Sequence, residues 1–328
     1  MIITKTPYRI SFFGGGTDYH AWYEEFGGQV LSTTINHYCW ISIRELSPFF
    51  DYNYRVAWRH LDIAKNINDI KHPVVKALLK EFNIKQHLNI HYDGDLPAQS
   101  GIGSSSAFAC GFIKAIYQLQ NLNISTKELA KAAINLEKNI LKENVGIQDQ
   151  IATAFGGLNH IKIKKSGDFT VNKIKAAPAS IESLQDHLLL FSTGIFRDAS
   201  DIAGDQIKKV KKNKNELFRI SEMVDEGIEI LKAKDFNADS FGKLLHDSWI
   251  LKKGLSSKIS MDVIDDAYNA AISSGAIGGK LLGAGGGGFL LIYAKPQNHK
   301  KIISTLHKLT LVPFRFSDKG AELVFNSN

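Results

Sequence analysis

Cysteine is almost missing from this chain: Cys39 and Cys110 are the only two in 328 residues. So small a number, without paired spacing, excludes a disulfide framework and a thiolate metal centre, and both thiols are expected to pack as small apolar residues. Apolar runs of membrane-spanning length are missing as well, and none follows a basic start, so a cytoplasmic protein without a membrane partner is expected. Negative charge is in short supply: 33 acidic residues face 40 lysines and arginines, a formal charge of +7. Much of the excess is a lysine run, Lys208, Lys209, Lys211, Lys212 and Lys214. No aromatic residues interleave with it to stack bases, so it reads as a solvated helix face and not as a nucleic-acid surface. A basic balance also suits ligands that are anionic phosphates. With 44% hydrophobic and 22% charged residues, the composition is that of a globular protein rather than a disordered one, and the length leaves room for two domains.

Glycine and serine, by contrast, are gathered in places where backbone must come close to something. The densest stretch runs from Leu96 through Pro97, Ser100, Gly101, Ile102, Gly103, Ser104, Ser105 and Ser106 to Ala107. Before it, Leu88 to Tyr92 alternates apolar and polar residues as a strand does; after it, Phe108, Phe112, Ala115 and Leu119 recur at helical spacing. The loop therefore ends at a helix N-terminus, where free N–H groups and the positive end of the helix dipole favour an anion, and glycine keeps side chains out of its way. A helix capped by serine is the plainer alternative; the density of glycine, serine and Pro97 favours phosphate binding.

Two further glycine clusters flank this one. Arg9 to Phe13 alternates as a strand into Gly14, Gly15, Gly16, Thr17, Asp18 and Tyr19, a turn carrying polar side chains. Near the C-terminus, Gly278 to Gly288 leads into an apolar strand, Phe289 to Tyr293. Gly283, Gly285 and Gly288 have the spacing of a dinucleotide fingerprint, but that fingerprint opens a helix, so a nicotinamide-dependent oxidoreductase is rejected. A Walker loop fails too, because Ser274 stands where its first glycine belongs and Leu281 follows Lys280.

Taken together, the clusters resemble the three motifs of the GHMP kinases, small-molecule kinases that include galactokinase, homoserine kinase and mevalonate kinase. The second motif of that family runs from proline through three variable residues to Gly-Leu-Gly-Ser-Ser-Ala; here Ile102 replaces leucine and Ser106 is an added serine. In the first motif, galactokinases have Gly-Glu-His-Thr-Asp-Tyr; Gly15 and Gly16 replace the Glu-His pair, which opens space and removes a carboxylate. The resemblance implies an α+β fold in two domains, residues 1–182 resembling ribosomal protein S5 domain 2 and residues 183–328 ferredoxin-like, with the active site between them. It implies ATP phosphates on Gly101, Ile102, Gly103, Ser104, Ser105 and Ser106, and Mg2+ held by Ser105 and Glu137. Asp149 would orient or deprotonate the acceptor hydroxyl, and Arg9 would steady the developing charge. Gly15, Gly16, Thr17, Asp18, Arg197, Lys280, Gly285 and Gly286 would face the substrate, with Lys252 and Arg55 as further cations for a distal phosphate.

Within the superfamily, Pro7 to Ser11 with Gly14 to Tyr19, Lys71 to Val75, and Gly278 to Phe289 resemble the kinases of D-glycero-D-manno-heptose 7-phosphate. That resemblance implies phosphorylation of the anomeric hydroxyl to the 1,7-bisphosphate, on a route to nucleotide-activated heptose for surface polysaccharide. A fucokinase-like enzyme or another sugar 1-kinase acting on an unphosphorylated sugar is the alternative. A non-catalytic ligand-binding relative is another, and retention of Asp149, Glu137 and Ser105 together argues against it. The remaining pattern supplies scaffold. Val30 to Ile35 and Cys39 to Ile43 read as two strands, and residues 46–70 as a partly exposed aromatic hairpin or a pocket wall. Pro73 opens a helix, Ser125 and Glu128 cap another, a polar stretch over 164–183 marks the boundary, and His246 is expected to pack.

Overall fold

The computed structural model describes residues 1–196 and 199–327. Its first layer is built on two long strands. β1 (Ile2–Phe13) runs unbroken through Pro7. Pro7 is tolerated because the ladder shifts register between Pro7 and Arg9, and the other neighbour of β1 reaches only as far as Lys5. Helix α1 (His20–Phe26) follows the first glycine turn, and β2 (Gly28–Glu45) is one bent strand of 18 residues in place of the two expected. Its bend lies where Pro7 pairs with Tyr38 and Arg9 with Thr34, so that β2 has more residues there than β1. β3 (Tyr54–Ala57) and β4 (Leu61–Ala64) form the expected hairpin.

Helix α2 (Pro73–Glu81) starts at a proline in its first turn, with the His72 imidazole accepting from the Val75 N–H as N-cap. β5 (Leu88–Gly94) then pairs antiparallel with the second half of β2 and parallel with β3. The phosphate-loop candidate leads into α3 (Ser104–Leu119), whose flank against the sheet is buried almost along its length. α4 (Thr126–Asn135) begins in a capping box of Ser125 and Glu128. α5 (Gln148–Phe155) carries Asp149 in its first turn. β6 (Asn159–Ile163) pairs with the first half of β2, and β7 (Phe169–Lys173) with β6. The polar stretch over 164–183 therefore holds a strand, and α6 (Pro178–Asp186) begins within it.

The second layer is an antiparallel sheet of four strands that starts with β8 (Leu188–Ser192). Four helices follow: α7 (Ala199–Lys208), α8 (Lys214–Lys232), α9 (Ala238–Gly254) and α10 (Asp262–Ser273). β9 (Ala276–Leu281) and β10 (Phe289–Ala294) pair with each other, and β10 with β8. Gly278 and Gly279, counted above with the third glycine cluster, are thus strand residues. A Cβ on Gly278 would collide with the Gly242 carbonyl of α9, so glycine there lets a helix lie close on the strand. After α11 (His299–Thr305), β11 (Thr310–Leu311) closes this sheet beside β8.

The last residues then leave the second layer. β12 (Phe316–Ser317) pairs with β2, and β13 (Glu322–Asn326) covers the free edge of β1. A division of the chain at 182/183 accordingly does not describe these residues, which lie beyond it in sequence but in the first sheet by pairing. No described helix is long and apolar enough to cross a membrane. Cys39 and Cys110 are free and buried, and His246 hydrogen-bonds the Tyr268 hydroxyl at 2.7 Å and stacks on its ring.

His72 sits between Trp58 and Phe108, with ring centroids 4.5 Å and 4.7 Å away. Burial lowers its pKa from the usual 6.5 to about 4. The unfolded chain thus binds a proton that the folded protein refuses, and stability held above pH 6.5 is lost as pH falls toward 4. His72→Asn keeps a capping side chain but cannot titrate. Urea denaturation midpoints of the variant should fall less steeply between pH 6.5 and 4 than those of the wild type.

Candidate active site

The loop between β5 and α3 turns on two left-handed residues, Gly101 with φ 75° and Gly103 with φ 73°. Gly103 is the N-cap of α3 and no side chain among the described residues caps the helix, so its first-turn N–H groups are left for a ligand. The serines that follow divide the work. Ser105 donates to Glu137 Oε1 at 2.9 Å, and Ser106 donates to both carboxylate oxygens, at 3.2 Å and 2.9 Å. Ser106, assigned above to ATP, is buried and its hydroxyl is committed to Glu137.

Glu137 lies in a π-turn (Leu136–Ile140) at the end of α4, only 1% exposed. Burial raises its pKa to about 7, against hydrogen bonds from Gln150, Ser105 and Ser106 that pull the other way. A nearby cation would favour the charged form. The donors present, a carboxylate and a hydroxyl beside a helix N-terminus, are hard oxygens of the kind that bind Mg2+ with phosphates and water completing its shell. Among the described residues there is no group of three or more His, Cys, Asp or Glu able to hold a metal ion alone. Ser105 and Glu137 therefore suit a cation brought in with the nucleotide.

Arg9 and Asp149 form the other half of the site. Arg9 Nε and Nη2 donate to the two oxygens of Asp149 at 2.7 Å and 2.6 Å, and Nη1 donates to the Gly101 carbonyl at 2.6 Å. Its backbone N–H also donates to the Ile102 carbonyl at 3.0 Å. A Cβ on Gly103 would lie 3.2 Å from Arg9 Cγ, so the phosphate loop, the arginine and the aspartate are in mutual contact. Asp149 keeps 26% of its side chain exposed, whereas Arg9 keeps 3%.

The first glycine turn backs onto this pair. Asp18 is buried, accepts from Gly16 N–H at 2.9 Å, and packs so tightly on Gly146 that no Cβ would fit there. Burial raises its pKa, with the Asp149 charge adding to the effect. Thr17 is fully buried and its hydroxyl is taken by the carbonyls of Gly14 and Gln29, at 2.8 Å and 2.9 Å, so it holds the turn and presents no free group to a sugar. Gly15 is the open member: an added Cβ would meet nothing nearer than Gln148 Nε2 at 3.7 Å.

From the second layer, the loop 282–288 presses on the phosphate loop backbone to backbone. A Cβ on Gly101 would stand 2.6 Å from the Leu282 carbonyl, and one on Gly283 would collide with Gly101. Gly285 and Gly286 rest on Ile259, whose carbonyl accepts from the Gly286 N–H at 2.8 Å. Lys252 reaches under this loop to the carbonyls of Leu281 and Gly283, and burial with the Arg9 charge lowers its pKa to about 8. Lys280 is 3% exposed and donates to the Phe12 carbonyl at 2.7 Å, joining the two layers. Burial drives its pKa well below the usual value, so it is a buried tie and not an open cation for a substrate phosphate. Arg55 is held by Asn89 and His91 on β5. Arg197 lies outside the described residues.

Two glycine loops packed backbone to backbone, a helix N-terminus, a buried glutamate with serine donors and an arginine-aspartate pair are the parts a small-molecule kinase requires. Residues 68–157 match the GHMP kinases N terminal domain and residues 228–309 the GHMP kinases C terminal family, and the chain belongs to the GHMP kinases, ATP-dependent phosphotransferases with alcohol acceptors. It is 31% identical to a D-glycero-alpha-D-manno-heptose 7-phosphate kinase of Campylobacter jejuni, over 98% of each protein. It is 27% identical to a bifunctional fucokinase/GDP-fucose pyrophosphorylase of Arabidopsis thaliana, over 90% of this chain and 30% of that one. A solved D-glycero-D-manno-heptose 1-phosphate kinase from Bacteroides thetaiotaomicron shares the fold, with a TM-score of 0.73 and 22% identity over the full length of both.

Sequence reasoning missed Gln150, which donates to Glu137, and the second role of Ser106. Gln150 stands one residue from Asp149, and the helical geometry of α5 turns the two side chains to different neighbours. The close approach of the two glycine loops gives a direct test. Gly283→Ala forces Gly101 and the phosphate loop to shift, and its φ of 69° adds strain. Calorimetric titration with ATP should show affinity lowered by about 10-fold or more, with a destabilisation of about 1–3 kcal/mol in chemical denaturation.

Proposed function

We propose that this kinase transfers the γ-phosphoryl group of ATP to the anomeric hydroxyl of D-glycero-D-manno-heptose 7-phosphate, giving the 1,7-bisphosphate and ADP. The observation that carries the chemistry is the Arg9 guanidinium forked onto Asp149 and anchored to the phosphate loop at Gly101. The heptose is supported by the full-length similarity to the Campylobacter jejuni enzyme.

Phosphoryl transfer asks mainly for positioning and for neutralisation of charge. The γ-phosphoryl would rest at the N-terminus of α3 on Gly101 to Ser105, with Ser105 and Glu137 as ligands of Mg2+. When bound, Mg2+ supplies positive charge to the phosphate oxygens. Asp149 accepts or orients the proton of the hydroxyl as its oxygen forms the new bond to phosphorus and the bond to the leaving ADP oxygen breaks. Arg9 fixes the carboxylate's rotamer through two hydrogen bonds and carries charge toward the transferring group. An anomeric hydroxyl is more acidic than an ordinary alcohol, which lightens the demand on Asp149. Of the cations expected to meet a distal phosphate on the substrate, Lys280, Lys252 and Arg55 are hydrogen-bonded within the protein, and Arg197 lies outside the described residues.

A fucokinase-like activity on an unphosphorylated sugar is the second reading, favoured by the similarity to the Arabidopsis thaliana enzyme. ATP consumption by the purified protein across heptose 7-phosphate, fucose, mannose and galactose separates them, with phosphorus NMR locating the new ester. The heptose reading expects strong preference for heptose 7-phosphate and a phosphate at carbon 1; preference for a free sugar overturns it. Asp149→Asn should lower kcat by about 10²-fold or more while leaving ATP affinity within a few-fold. Unchanged turnover would remove Asp149 from the reaction.

A further inference from the structure

Beneath the Arg9–Asp149 pair lies a polar patch that neither the phosphate loop nor the metal ligands use. Arg9 and Ser11 are two residues apart on β1 with no register shift between them, so their side chains share one face, roughly 7 Å apart along the strand. Ser32 pairs directly with Ser11 across β2 and faces the same way. Ser11 is 5% exposed and Ser32 is 1% exposed, and among the described residues neither hydroxyl has a hydrogen-bond partner. Gln148, in the first turn of α5 beside Asp149, donates its backbone N–H to Asp18 Oδ2 at 3.4 Å, and its Oε1 has no partner among the described residues. Gly15 lies between them: an ideal Cβ on it would be 3.7 Å from Gln148 Nε2 and 4.0 Å from Ser11 Oγ.

Buried polar atoms without partners are costly, and they are retained where a ligand completes them. The patch holds one acceptor, the Gln148 carbonyl, and hydroxyls that donate or accept, arranged around the space that Gly15 leaves open. That combination matches a sugar hydroxyl better than a phosphate, since Arg9, the cation on the same face of β1, is already taken up by Asp149 and the Gly101 carbonyl. We propose that Ser11 and Gln148, with Gly15 providing the room, bind a hydroxyl of the acceptor sugar neighbouring the one that is phosphorylated, and so select among sugars. This rests on the kinase reading above and adds to it residues outside the glycine motifs. Ser11 and Gln148 are positioning and specificity residues, whereas Asp149 touches the reacting oxygen.

The test pairs variants with substrates lacking single hydroxyls. The sugar that wild type turns over best and its monodeoxy analogues are compared in wild type, Ser11→Ala and Gln148→Ala. Wild type should lose about 10-fold or more in kcat/KM on one analogue. The variants should lose a similar factor on the parent sugar and little further on that analogue. Equal losses on the parent and on every analogue would mean that the side chains only support the fold, and would overturn the proposal. Gly15→Ala is the second arm, because the protein itself leaves room for that methyl group. It should raise the KM for sugar about 10-fold with the ATP KM and melting temperature unchanged; an unchanged sugar KM overturns the proposal. Failure of wild type to phosphorylate any sugar is a separate outcome that rejects the kinase reading itself.

Discussion

The guanidinium of Arg9 is the contact on which the rest of the site depends. It is nearly fully buried, and a buried cation is tolerable only with its donors satisfied and its charge matched. Asp149 provides the charge and two acceptors, and the Gly101 carbonyl provides a third. One side chain thus ties β1, the phosphate loop and the first turn of α5 together. The bend in β2 opposite Pro7 and Arg9 belongs to the same arrangement, because at the irregularity in the ladder the Arg9 N–H donates to the Ile102 carbonyl of the phosphate loop.

A second constraint comes from the other layer. The loop 282–288 meets the phosphate loop with no side chain between the two backbones, so both must be glycine at the crossing. Lys252 and Lys280 hold that crossing from below by donating to backbone carbonyls, at the cost of two ammonium groups pushed toward the neutral form by burial. The catalytic geometry therefore depends on how the layers pack. The return of β12 and β13 to the first sheet fastens the chain end across the same junction.

The parts legible in the sequence were those that depend on local spacing. Gly101 and Gly103 before a helical period are readable within a few residues, whereas Glu137 and Asp149 entered only through the resemblance to the GHMP kinases. What escaped was set by contacts between distant segments. Whether Ser106 faces a nucleotide or Glu137, whether Lys280 opens to solvent or reaches Phe12, and whether Thr17 presents its hydroxyl are decided by which element packs alongside. The merging of two expected strands into β2 has the same origin, since neighbours on both edges hold a bent strand continuous that its own alternation would break in two. The domain ends were equally hidden, because a strand's partner leaves no mark in its own sequence.

The most direct measurement is a double-mutant cycle on kcat with Arg9→Met, Asp149→Asn and the pair together. If the two residues act as one unit, each single change lowers kcat steeply and the double variant is no worse than the poorer single variant. Losses that multiply, or a single variant that retains wild-type turnover, would contradict the account.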